Sequence, residues 1–106
     1  MAKYLFLVMI NPVEGQEAAL NDWLDTHHLP EVVQTEGFQR VTRFEHAPED
    51  AANPLKPHRY MHYYEIETDD LEATKAALMA GGATRTPLSP ALDLKSMYVA
   101  YYKAIE

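Results

Sequence analysis

The chain has 106 residues, of which 47% are hydrophobic and 24% charged, a balance that fits one globular domain with a single core and excludes a disordered chain. Sixteen acidic against nine basic residues give a formal charge of −7, which repels phosphate backbones and anionic membrane surfaces and argues against nucleic-acid or membrane partners. No cysteine is present, so disulfides, thiolate catalysis and cysteine-held zinc or iron–sulfur sites are excluded.

From Lys3 to Ile10 the chain is apolar on both alternating faces and stops at Asn11-Pro12, so it reads as a strand covered on two sides. The run is too short to span a bilayer and lacks a small-residue cleavage site after it, and the expected location is cytoplasmic. A first helix is expected from Glu14 to His27, where Leu20, Trp23, Leu24 and His27 recur at helical spacing. Pro30 disfavours helical geometry at Leu29 and predicts an end at His27 or His28.

Gly37 marks a turn, and Phe38 to His46 alternates as a second strand. The stretch Ala47 to His58 carries Pro48, Pro54 and Pro57 and reads as a long connection that could serve as a lid. A third, aromatic strand is expected over Arg59 to Glu67. Thr68, Asp69 and Asp70 then offer N-cap oxygens to a second helix that runs to about Ala80 and stops at Gly81-Gly82. After a loop with Pro87 and Pro90, Ser96 to Lys103 forms the last strand.

The order βαββαβ, over one domain spanning 1–106, predicts an α+β fold of ferredoxin-like type: a four-stranded antiparallel sheet with two helices on one face. The other sheet face is then bare. It carries large apolar and aromatic groups from strands one, three and four, and a homodimer packing sheet on sheet would cover it.

Two adjacent histidines close the first helix, and histidine changes charge near neutral pH. A helical wheel puts His27 near the middle of the apolar stripe, as a packed residue, and His28 at its edge, as a pocket group. Trp23 suits either helix packing or a pocket wall. Arg43, mid-strand, needs a partner; Glu45 or Glu65 could supply it, or the guanidinium could hold a substrate carboxylate or enolate. Tyr60, His62 and Tyr64 share one face of strand three, where they form either core or a polar aromatic cluster suited to a ring-shaped ligand. Tyr98, Tyr101 and Tyr102 divide between pocket and dimer contact. No histidine or carboxylate spacing typical of a metal site occurs, and neither a metal nor a cofactor is expected.

With the pattern Trp23-(x)4-His28-Leu29-Pro30, then Gly37-Phe38 and Arg43, together with Tyr60-Met61-His62-Tyr63-Tyr64-Glu65, the chain resembles the dimeric α/β-barrel superfamily, most closely its EthD-like branch. That superfamily includes cofactor-free monooxygenases, polyketide cyclases, muconolactone isomerases and haem proteins, so the resemblance implies the fold and a homodimer without fixing a reaction. In the methylmuconolactone-isomerase relatives a histidine nine residues before the glycine that opens strand two serves the reaction, a position held here by His28. Those relatives also use a cysteine, which this chain lacks. The asparagine, tryptophan and histidine set of the haem-degrading branch does not map onto matching strands.

The expectation is a cofactor-independent isomerase, lyase or cyclase acting on a small cyclic, aromatic or lactone-like metabolite by histidine proton transfer. His28, Arg43 and His62 are the expected catalytic residues; Trp23, His27, Tyr60, Tyr64 and Tyr98 are expected around the substrate. The alternatives are a binding module without turnover and a cofactor-free monooxygenase of phenolic or quinoid substrates.

Overall fold

The computed structural model describes residues 1–105. Four strands, β1 (Ala2–Ile10), β2 (Phe38–Glu45), β3 (Tyr60–Thr68) and β4 (Tyr98–Lys103), form one sheet in the order β2-β3-β1-β4 with every neighbour antiparallel. Alternation sets the faces. Val8 and Ile10 of β1 with Tyr60, His62, Tyr64 and Ile66 of β3 are buried toward the helices. Leu5, Phe44, Tyr98 and Tyr102, all at least one-third exposed, point to the opposite side with Leu7, Met9, Met61 and Tyr63. The bare apolar face expected from the element order is present. The architecture is α+β and ferredoxin-like.

The first helix departs from expectation. It does not end at His28: α1 (Glu17–Trp23) passes into a π-helical segment (Leu24–His28) and straight on into α2 (Leu29–Val32). The Leu29 N–H reaches back five residues to the Leu24 carbonyl. In a regular helix the Pro30 ring would collide with the Thr26 carbonyl; the widened turn admits it, and proline also lacks the N–H such a turn leaves unused. The insertion shifts the apolar stripe by one residue. Leu20, Trp23, Leu24, Leu29 and Val32 are buried, while His27 is exposed.

The third helix, α3 (Leu71–Ala80), is capped as its sequence suggests, the Asp70 carboxylate accepting from the Ala73 N–H at 3.1 Å. It ends at Ala80, as expected, although Gly81 has ordinary right-handed angles rather than those of a left-handed glycine cap, and a 3-10 turn (Gly81–Thr84) follows. Gly37 does need to be glycine: its φ is +93° and an added Cβ would sit 3.3 Å from the Glu67 carbonyl. Strand β4 begins at Tyr98 rather than Ser96, since Ser96 Oγ turns back to the Asp93 carboxylate at 2.9 Å. The connection 47–58 carries its own bonds, His46 to Asp50 at 2.8 Å and Asn53 to Asp50 at 3.0 Å. Among the described residues, no helix is long and apolar enough to cross a membrane.

Candidate active site

Between the helices and the inner sheet face lies a cavity of about 510 Å³, within the range of small-molecule sites. Its floor is Phe6, Val8 and Ile10 of β1, His62 and Tyr64 of β3 and Val99 of β4. Trp23, Leu24, His28 and Val32 form one wall, and Leu78 with the segment from Arg85 to Leu92 forms the other. That segment is fastened from several sides. The Thr86 N–H and hydroxyl donate to the Glu31 carboxylate at 2.7 and 2.6 Å, the Trp23 indole donates to the Pro87 carbonyl at 3.1 Å, and the Val13 N–H donates to the Ala91 carbonyl at 2.7 Å. The wall is therefore the 85–92 segment; nothing in 47–58 lines the cavity, contrary to the expected lid.

His28 reaches the cavity because of the π segment. Its ring stacks on Trp23 with centroids 4.4 Å apart and planes 21° from parallel. Burial, and then the positive charge of Arg85, push its pKa below the ordinary 6.5, which leaves the imidazole neutral at pH 7. His62 is only 2% exposed, and burial, with smaller contributions from the His28 and Arg43 charges, lowers its pKa to about 3. Neither of its ring nitrogens has a hydrogen-bond partner, and the buried Tyr64 hydroxyl has none either. The two rings meet edge to face, 5.3 Å between centroids. Burial raises the Tyr64 pKa, so its hydroxyl keeps its proton. Three polar atoms in a mostly apolar pocket thus stand without partners, an arrangement that costs stability and is ordinarily absent from a core.

Other expected site residues fall elsewhere. Arg43 lies outside this cavity and finds its partners on α1 and the π segment rather than at Glu45 or Glu65: Nη1 donates to Asp25 at 3.0 Å and Nη2 to Asn21 at 2.6 Å. Glu65 instead pairs with Arg40 at 2.7 Å. Tyr60 lines a separate recess with Asn21 and Arg43, its hydroxyl accepting from the Asn21 amide at 3.2 Å. His27 is exposed because the wheel that placed it inside assumed 3.6 residues per turn through the π segment. Tyr98 is on the bare face, opposite Met9, and touches no part of the cavity. Arg85, Thr86 and Glu31 were not among the expected residues; they carry no periodic signal and meet only through tertiary packing. Among the described residues, no group of three or more histidine or acidic side chains is placed to hold a metal ion.

No protein-family model matches the chain, and no curated protein matches it. Solved structures do. Similar folds are found in the heme-degrader MhuD from Mycobacterium tuberculosis, solved with two hemes bound in its active site (TM-score 0.67, 12% identity, 97% of this chain and 96% of that one). They are found too in an EthD family protein from Bacillus halodurans (TM-score 0.52, 12% identity, 99% and 100%). A dimeric ferredoxin-like protein of unknown function from Jannaschia sp. CCS1 is a third (TM-score 0.51, 14% identity, 96% and 99%). At these identities the likeness establishes the fold, a ferredoxin-like domain of the kind seen in dimeric and EthD-type proteins.

Proposed function

We propose that this chain is a cofactor-independent enzyme that moves a proton on a small cyclic, aromatic or lactone-like molecule held in the cavity of each subunit of a cytoplasmic homodimer. The observation that carries the reading is the set of unpartnered polar atoms on His62 and Tyr64 beside a neutral His28. A ligand oxygen would satisfy the Tyr64 hydroxyl and one His62 nitrogen. His28, uncharged with a free lone pair, would take a proton from carbon and return it to another position, as an isomerase, lyase or cyclase requires. Arg43 touches no ligand in this scheme; its charge helps keep His62 neutral. The bare apolar sheet face, and the dimeric neighbours with this fold, support the homodimer.

The test is deuterium exchange. In D2O the protein should speed replacement of the acidic C–H protons of 2-tetralone, a cyclic ketone, beyond buffer alone. Binding without faster exchange would favour the ligand-binding module instead. Oxygen consumption with a phenolic substrate would favour the cofactor-free monooxygenase.

A further inference from the structure

We propose that Arg85 is the anion anchor of the cavity and that the natural ligand therefore pairs an apolar ring with a carboxylate. The inference rests on the cavity being a ligand site, as argued above, and adds the ligand's charge. Arg85 lines the cavity. Among the described residues no ion pair involves it, in contrast to Arg43, which Asp25 neutralises at 3.0 Å. Its guanidinium is held by neutral acceptors alone, Nη1 donating to the Leu78 carbonyl at 2.7 Å and Nη2 to the Thr35 hydroxyl at 3.1 Å.

Those bonds fix the fork and leave N–H donors over, since a guanidinium has five. The acid in this part of the molecule, Glu31, is committed to Thr86 and does not line the cavity. Gly81 keeps the place open: a Cβ there would lie 2.5 Å from Arg85 Nη2. A fixed, uncompensated guanidinium beside an apolar pocket suits a carboxylate, which it binds through two parallel hydrogen bonds. The lining around it, including Val8, Ile10, Leu24 and Leu92, suits the hydrocarbon body.

The experiment compares cyclohexanecarboxylate with its neutral isostere cyclohexanecarboxamide by titration calorimetry on the whole protein. The wild type should bind the carboxylate about tenfold more tightly or better, and the advantage should shrink with added salt. Arg85→Gln should erase that advantage, lowering the carboxylate affinity far more than the carboxamide affinity. Gly81→Ala, which keeps the charge but displaces the guanidinium, should reduce it. Equal binding of the two probes to the wild type overturns the anchor and leaves the cavity as a ligand site, a result that needs no variant to fold. An advantage that survives Arg85→Gln overturns it likewise. Failure of both probes to bind overturns the ligand-site reading and the anchor together.

Discussion

Trp23 and His28 stack face to face at 4.4 Å although they are five residues apart, a spacing that a regular α-helix would put on different faces and that the π segment aligns. Trp23 is the chain's single tryptophan, so its fluorescence reports on this contact. A protonated imidazole quenches a stacked indole more than a neutral one. Titration from pH 8 downward should show quenching with a midpoint below 6.5, because burial and Arg85 disfavour the His28 cation. His28→Asn should abolish the step. A midpoint at or above 6.5 would contradict the depressed pKa.

The Tyr64 hydroxyl is buried without a partner, and such a group costs about 1–3 kcal/mol. Tyr64→Phe should therefore leave stability unchanged or raise it by about 1 kcal/mol, a Tm gain of roughly 4–8 °C for a domain of this size. Calorimetry checks this. A loss of stability would show that the hydroxyl already has a partner.

His62 makes stability depend on pH with a definite sign. Its folded pKa of about 3 lies below the ordinary 6.5, so the unfolded chain takes up the proton first on acidification. The stability tied to neutral His62 is complete above pH 6.5, falls as the pH drops below it, and is gone by about pH 3. His28 contributes in the same direction. Unfolding free energies of wild type and His62→Leu, followed from pH 7 to 4, should shift steadily in the variant's favour, at a rate approaching about 1.4 kcal/mol per pH unit. Parallel curves would contradict the depressed pKa.

On the bare face, Leu7 sits between Tyr63 of β3 and Ala100 of β4. Leu7→Lys places a charge in the middle of the surface that a second copy would cover. Light scattering should give twice the chain mass for the wild type and the chain mass for the variant, with unchanged circular dichroism. A monomeric wild type would remove the dimer from the account.

The strands were legible because alternation and turn residues mark them directly, and the Asp70 cap and the antiparallel ferredoxin-like arrangement followed from the same signals. The π segment was not, because a helical wheel carries one period through the whole helix. Its trace was present all the same: Trp23 to His28 and Leu24 to Leu29 both step by five, and Pro30, read as a stop, is what the widened turn accommodates. Tyr98 was misplaced because both faces of β4 carry tyrosines, which leaves the parity of the strand open. Arg85 and Thr86 lie in a proline-containing loop with no period, where Leu78, Thr35 and Glu31, distant in sequence, decide the geometry.

The most direct measurement is the exchange rate of 2-tetralone in D2O for His28→Ala beside the wild type, with the dissociation constant of each measured in parallel. Proton transfer by His28 predicts a rate lower by about 10²- to 10⁴-fold at nearly unchanged affinity. Exchange that continues at the wild-type rate would show that another group, or none, moves the proton.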